Sequence, residues 1–589
     1  MLPPSHTLAD VLAGLSVACM EIPQGMSYAA LAGLPNVFGL YGATIPCIVY
    51  CIFGSSPQLA VGPVSVTSML LGTGLATIFQ GRVNHDPNAP DDPLLQQQYN
   101  QAAIQVAFLV GVLYTAISLL RLGWLTNFLS HSVVSGFMSG ASISIAASQL
   151  KTLLGIKLPR GHHLQAELHD IFTHLKDINY YELLMGLVFI SVLLTFKLLA
   201  GKHKGLSFLS ALGPFTVAAL SIGLMNAFKL YEQPSARAPY IQQVGPVPSG
   251  LPGFTAGWWL PLRAPGTQLT LAMLVCLIDA VEAMSMAKIL ARVSCSEHDA
   301  TQDLQALGLA NLAGAAFSCY NTTGSFSRSA VNKDAGARTP LASGVCGAVL
   351  ALTLLFCTGL FTHMSKNVQG AIILVGVLRL FDGKECAFLY RVNKPDCVVW
   401  LATFVFTMFL GVFHGIVFGV ALALMLVIYK TACPRIATLG RLPGSCPGVY
   451  RNREMYEGTL EEPGMLLLRV DCSIYFANAQ SVRAGVCKAV QKALEERPLQ
   501  VVVLNLSPVI DIDASAVHAL HGLVDQLQAQ GLVVALVNPS QQVVTLLRRS
   551  QLLEKVGDDN IHVSMHGAVL TYVAVMQSYL CPDGLDYTI

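Results

Sequence analysis

Between two apolar stretches, 309–318 and 341–356, lies NTTGSFSRSA (321–330), whose polar and small residues surround one arginine. An arginine at membrane depth costs about 2.5–3.5 kcal/mol on insertion scales, so Arg328 is expected to face a polar cavity rather than lipid. Gly324, Ser325, Ser327 and Ser329 are small enough to let another segment approach closely. A short helix over Gly324–Asn332 would turn its free N–H groups and positive end toward an anion, with the Ser325 and Ser327 hydroxyls as further donors. A second such start lies at Gly62-Pro63-Val64-Ser65. A third set is LVCLIDAVEAMSMAKILARV (274–293), which carries Asp279, Glu282 and Lys288 in one apparent span. Intramembrane carboxylates are functional candidates by default. Because a buried charge needs a partner, Glu282 is a candidate partner for Arg328 across the core. Gln24, in the Pro-interrupted run PQGMSY (23–28), is an amide at membrane depth that can donate to an oxyanion, with Tyr28 nearby. Glu21, three residues earlier, lies near the same helix face and is assigned no role.

These residues must be held by membrane-spanning elements. The chain has 589 residues, 53% of them apolar and 12% charged, against about 25% charged in an ordinary soluble domain. Its net charge of +1 excludes bulk nucleic-acid binding. The 15 cysteines sit partly inside apolar runs, which is no disulfide framework, and no spacing suggests a metal site. No cofactor is expected. The first apolar run lacks the basic leader of a cleavable signal peptide. Spans are expected near 8–30, 38–56, 61–80, 100–119, 127–152, 180–200, 206–229, 269–291, 302–320, 324–334, 340–361, 368–380, 396–411 and 413–430. Several fall short of the roughly 20 residues that a straight crossing takes. VGPVSVTSML (61–70) and TGSFSRSAVN (323–332) are broken in the same way, the mark of an inverted-repeat transporter with a midplane site.

Lys and Arg, among them Arg121, Lys202, Lys204, Arg338, Lys384 and Arg391, cluster in alternate connections, whereas the loop 82–93 is acidic. The basic connections are therefore expected in the cytoplasm, together with the N-terminus and everything after residue 430. That requires an even number of spans, and fourteen fits.

After residue 430 a polar linker (431–460) leads into alternating strand and helix patterns over 461–580, a small α/β domain. Strands are expected within 464–478, 499–509 and 532–539, and helices over 479–497, 514–531 and 541–556.

EIPQGMSYAALAGLPNVFGLY (21–41), FGSSPQLAVGPVSVTSML (53–70) and the stretch DATQDL…GARTP (299–340) occur in the order of the sulfate permease family, the solute-carrier family twenty-six anion transporters. The chain resembles that family over roughly 8–580, and its C-terminal part resembles the STAS domain that the family carries. The resemblance implies a polytopic α-helical membrane protein of 14 spans in two inverted seven-span repeats, with core and gate domains. A transport domain would occupy 1–430 and a cytoplasmic STAS domain 461–580, usually assembled as dimers. It implies an anion held between two short helices, here by Val64 and Ser65 on one side and Phe326, Ser327 and Arg328 on the other, with Gln24 and Tyr28 lining the site. Glu282 matches the family's acidic position and Asp279 does not. Protonation of Glu282 would remove a repulsion and leave Arg328 free for a divalent anion, a route to proton-coupled sulfate uptake by alternating access.

Bicarbonate or chloride exchange stays open, because half-helix dipoles also bind monovalent anions. So does sodium coupling through Asp279 or Glu282, and so does a channel-like or voltage-responsive member of the same fold. No Walker motif, nucleophile elbow or pair of catalytic carboxylates supports an enzyme. The cell membrane is the expected location, with an intracellular membrane as the alternative. In the STAS-like part, Ser515 falls at the position that is phosphorylated in bacterial STAS proteins, but Asp511 and Asp513 would oppose a phosphate there and Ala516 replaces the usual glycine. The sequon Asn321-Thr322-Thr323 lies at membrane depth and is discounted, and His162–His163 reads as a solvated loop.

Overall fold

A computed structural model describes residues 4–79, 93–121, 130–156, 164–174, 176, 178–202, 207–230, 241–294, 299–378, 380–444 and 448–580. The acidic loop 82–92, His162, His163, His203 and Lys204 lie outside them. The chain divides near residue 423 into two compact units.

The first unit is helical. Its elements are α1 (Pro4–Ala32), α2 (Val37–Phe53), β1 (Val61–Gly62), α3 (Ser65–Ile78), α4 (Pro93–Leu119), α5 (His131–Leu154), α6 (Leu164–Thr173), α7 (Tyr180–Lys202) and α8 (Ser207–Ala227). There follow α9 (Pro265–Ser294), α10 (Ala300–Ala316), β2 (Thr323–Gly324), α11 (Phe326–Asp334), α12 (Leu341–Leu352), α13 (Lys366–Val377), α14 (Gly383–Val392), α15 (Lys394–Leu410) and α16 (Val412–Ala432), within which the division between the units falls. Of these sixteen helices α6 and α14 are 10-residue connectors, which leaves fourteen candidate spans among the described residues.

The two sets of seven match in layout. Each has a two-residue strand before its third helix and a short connector between its fifth and sixth. Packing repeats the relation reciprocally. The second helix of each half, α2 or α10, lies on the fourth of the other, α12 or α4. The first of each, α1 or α9, lies on the third of the other, α11 or α3. The fifth of each, α5 or α13, lies on the sixth of the other, α15 or α7. Such exchange is what a pseudo-two-fold relation between inverted repeats produces.

Helices α3 and α11, of 14 and 9 residues, are too short to cross the bilayer alone, because extended chain replaces their first turns. Non-helical backbone at membrane depth persists only where the protein satisfies its polar groups. Here β1 and β2 pair antiparallel, Val61 opposite Gly324 and Gly62 opposite Thr323. The Ser325 amide donates to the Ala60 carbonyl (3.0 Å), and the Ala60 amide to Ser329 Oγ (2.9 Å). Asn332 Nδ2 donates to the Gln58 carbonyl, and Asn311 both donates to the Thr322 carbonyl and accepts from its amide.

The second unit is an α/β domain of β3 (Ile436–Arg441), β4 (Tyr450–Asn452), β5 (Met465–Val470), α17 (Ala479–Glu496), β6 (Val501–Asn505), α18 (Ala514–Ala529), β7 (Val533–Val537), α19 (Gln541–Arg549), α20 (Leu552–Val556), β8 (Ile561–His562) and α21 (Met565–Leu580). The sheet order is β4-β3-β5-β6-β7-β8, parallel from β5 to β8. Alternate residues serve opposite faces, as strand geometry requires. Leu466, Leu468, Val502, Leu504, Val534 and Leu536 join the core under α17–α20. Met465, Leu467, Val501, Val503 and Ala535 meet Ala568, Val569 and Tyr572 of α21 on the other face.

Two expectations are corrected. The stretch 431–460, read as a linker, contributes β3 and β4 to the sheet, because β3 pairs antiparallel with β5 through four registered residues. Its polar, Pro- and Gly-rich composition reflects an edge hairpin. The single helix read over 541–556 is two, broken where Gln551 takes φ of 61°.

Candidate anion site

The site is built where the two broken segments cross. Pro63 follows β1 and has no N–H to give, so the chain stays extended through Val64 before α3 begins. Neither Val64 nor Ser325, the residues that precede α3 and α11, caps its helix with a side-chain hydrogen bond. Two first turns with no side-chain cap therefore flank one antiparallel crossing. Orphan N–H groups and positive dipole ends make such termini anion-binding positions.

Arg328, in the first turn of α11, is fully buried, while Phe326 and Ser327 beside it are exposed and half-buried. Its Nη1 donates to the Pro63 carbonyl at 2.7 Å. Its Nε lies 2.5 Å from Oε2 of Glu21 on α1, itself fully buried. The candidate Glu282–Arg328 pair is thus corrected. Arg328 is ion-paired with Glu21 on α1, which packs on α11 more extensively than does α9, the helix that carries Glu282. Glu282 remains within electrostatic range of Arg328, and its Oε2 is buried without a hydrogen-bond partner. Arg328 is therefore one cation in the field of two carboxylates.

The crossing leaves room for this pair through Gly62. A Cβ there would stand 2.6 Å from Glu21 Oε1 and 3.2 Å from Arg328 Nη2. Gly62→Ala is accordingly expected to cost about 1–3 kcal/mol, the usual range for overpacking, and to lower anion affinity. Thermal unfolding in detergent and anion titration of the purified variant check both effects.

The remaining candidates spread around this centre. Tyr28 is buried beside the Ser65 hydroxyl, within the field of Arg328. Gln24 is buried, and its Oε1 has no hydrogen-bond partner. Ser325 and Ser327 Oγ stand 3.5 Å apart, and Phe326 is 51% exposed beside them. Asp279 lies elsewhere. Its carbonyl accepts from Thr323 Oγ1 at 3.1 Å, and its carboxylate faces Asn321 Nδ2 at 3.5 Å, under the segment that leads into β2. Asn321 is buried, in keeping with the discounted sequon. Residues without an assigned role also support the site. Glu21 and Gly62 shape it, and Tyr320 is held by Ser68 at 3.2 Å. The signal for Glu21 was its place as a carboxylate inside an apolar run.

In the second unit Ser515 is exposed in the first turn of α18. Asp513 already caps that turn, accepting from the Ala516 amide (2.8 Å) and the Phe476 amide (2.7 Å). Its carboxylate stands where a phosphate on Ser515 would seek the same N–H groups.

Comparison with known proteins agrees with this architecture. Residues 8–403 match the sulfate permease family and residues 459–568 the STAS domain. Sulfate transporter 4.1, chloroplastic, of Arabidopsis thaliana is 36% identical over 97% of this chain and 80% of its own length. The probable sulfate transporter 4.2 of the same plant is 36% identical over 95% and 80%. The solved murine Solute Carrier 26 family member A9 anion transporter, in an inward-facing state, superposes with a TM-score of 0.86 at 24% identity, over 98% of this chain and 92% of that one. The fold is thus that transporter's inverted-repeat membrane architecture with a C-terminal α/β STAS domain.

Proposed function

The chain belongs to the sulfate permease family, and from that premise we propose that it carries sulfate across a membrane together with protons. The observation that carries this reading is the fully buried Arg328 at the crossing of two helix N-termini that lack side-chain caps, with Glu282 within electrostatic range. Once protonation relieves Arg328 of its carboxylates, a fixed cation added to two dipole ends favours a divalent anion, because Coulomb attraction scales with the ligand's charge. The two plant relatives, one named a sulfate transporter and the other a probable sulfate transporter, support the same substrate. Val64, Ser65, Phe326 and Ser327 present the backbone and hydroxyl donors, Gln24 and Tyr28 line the entrance from α1, and Glu282 carries a proton. Two reciprocally packed helix sets, α1–α4 with α9–α12 and α5 and α7 with α13 and α15, serve as core and gate in an elevator-type movement. The STAS domain stabilises a homodimer. The cytoplasmic side holds the N-terminus and the STAS domain by the Lys/Arg distribution. The cell membrane is the proposed location, and the name of the chloroplastic relative favours an internal membrane as the alternative.

The test is labelled sulfate flux into proteoliposomes with pH and sodium varied independently, beside bicarbonate and chloride. An inwardly directed proton gradient is expected to drive sulfate accumulation in the wild type. Glu282→Gln keeps the shape and the protonated-state charge, so it is expected to bind and exchange sulfate but to lose the acceleration by the gradient. Unchanged pH-driven accumulation in that variant removes Glu282 from the coupling step, and flux of chloride or bicarbonate without sulfate replaces the substrate.

A further inference from the structure

Glu21 and Arg328 form an ion pair that the transport reading leaves unused. Both side chains are fully buried, and Nε and Oε2 are 2.5 Å apart. Glu21 Oε1 accepts no hydrogen bond and sits against the bare backbone of Gly62. A carboxylate held so deep relies on its cation for compensation, since uncompensated buried charge is strongly destabilising. That cation is the one placed at the crossing of the two helix N-termini. An anion drawn to those termini meets an arginine that is already neutralised.

We propose that Glu21 is an internal counterion that occupies Arg328 in the empty site and releases it by taking up a proton when an anion binds. The inference rests on the transport reading for its setting and goes beyond it by adding a second proton carrier. The proton comes from the aqueous phase through which the anion enters and bonds to a Glu21 carboxylate oxygen, and the guanidinium passes from Glu21 to the anion. No other bond changes.

With Glu21 and Glu282 ionised and Arg328 positive, the empty site carries one net negative charge. Sulfate with a proton on each carboxylate leaves that charge unchanged, whereas sulfate with one proton adds a further negative charge beside buried groups. A monovalent anion is balanced by a single proton. The number of protons taken up therefore follows the charge of the anion.

Charged groups on the elements packed against Glu21 include Arg328 in the first turn of α11, Lys333 and Asp334 in its last turn, and Asp10 about three turns earlier on α1 itself. Arg328 on α11 faces it directly, and Cys346 on α12, Tyr320 ahead of β2 and Tyr28 on its own helix lie in its field. Helix α2 brings Tyr41, Cys47, Tyr50 and Cys51, α3 and α8 contain no titratable side chain, and Lys366 at the start of α13 is exposed. Glu282 of α9 shares the field of Arg328.

The experiment measures proton uptake on titration with sulfate or chloride, from an alkaline pH at which both carboxylates start ionised, and the affinity for sulfate, chloride and bicarbonate, for the purified full chain in weakly buffered detergent. The wild type is expected to take up about two protons per sulfate and about one per chloride, since an added negative neighbour raises a carboxylate's proton affinity. Glu21→Gln is expected to take up about one per sulfate and to bind anions at neutral pH about tenfold more tightly, because the competitor is gone. Its sulfate affinity should then rise less steeply as pH falls. Size-exclusion profile and unfolding temperature establish that the variant is folded. If it is not, the wild-type proton count decides alone, and one proton per sulfate overturns the proposal. Unchanged affinity and proton count in folded Glu21→Gln overturn it as well. If sulfate does not bind but chloride or bicarbonate does, the substrate reading fails while Glu21 is judged by the variant's affinity for that anion. If nothing binds, both fall.

Discussion

Arg328→Gln is expected to abolish sulfate transport and to destabilise the protein in the same stroke. The functional loss follows from removing the fixed positive charge between two helix N-termini in a low-dielectric site, and should exceed about 100-fold in transport efficiency for sulfate. A monovalent anion should lose less, because it gains less from a full charge. The structural loss follows from Glu21. With Arg328 gone, a fully buried carboxylate is left without its cation, a situation that costs about 3–5 kcal/mol. The two losses separate in the double variant Glu21→Gln, Arg328→Gln, which removes both charges and should regain most of the unfolding temperature without regaining transport. Unfolding in detergent and labelled-anion flux, compared across wild type, single and double variants, decide it. Equal losses for sulfate and chloride would count against a direct contact between Arg328 and the anion. A double variant no more stable than Arg328→Gln would mean that Glu21 is compensated by something other than the guanidinium.

Asp303→Ala is the largest expected loss away from the anion site. Oδ1 of Asp303, near the start of α10, accepts from the Tyr50 hydroxyl (2.9 Å), the Ser55 amide (2.7 Å) and the Ser56 amide (3.2 Å). These bonds fasten the end of α2 and the turn toward β1 onto the opposite repeat. Each buried donor left without an acceptor costs about 1–3 kcal/mol, and a carboxylate makes stronger bonds than a neutral group. The substitution should therefore lower stability by about 3 kcal/mol or more. Asp303→Asn keeps an acceptor oxygen and should recover part of that. The check is the unfolding temperature of both variants, with expression level as a second readout. A fall smaller for Ala than for Asn would show that the three bonds are not what Asp303 contributes.

Much of this was legible in the chain. Runs of apolar residues at membrane length, two matching breaks at 61–70 and 323–332, and the change of composition after residue 430 are local properties, and each reflects one physical demand: hydrocarbon outside, extended backbone only where protein satisfies it, or a two-sided sheet core. The short helices α3 and α11 begin close to where Gly-Pro and Gly-Ser end the preceding extended chain. The strand pattern of MLLLRV and VVVLN was equally readable, because both faces of a parallel strand are buried. Composition misled at 431–460. An edge hairpin is polar and turn-rich, so β3 and β4 look like a linker until β3 is seen pairing with β5.

The partner of Arg328 was of another kind. By itself the sequence determined that a cation lies at membrane depth with several carboxylates on other spans, and that it needs one of them. The spacing of 282 and 328 cannot rank Glu282 against Glu21, because contact between helices depends on crossing positions and rotation about each axis, which neither helix's own period contains. Tertiary structure decided it. The exchange of first and third helices between the repeats sets α1 against α11, the crossing of β1 and β2 brings Gly62 beside Arg328, and the missing side chain at Gly62 leaves the space that the Glu21 carboxylate fills.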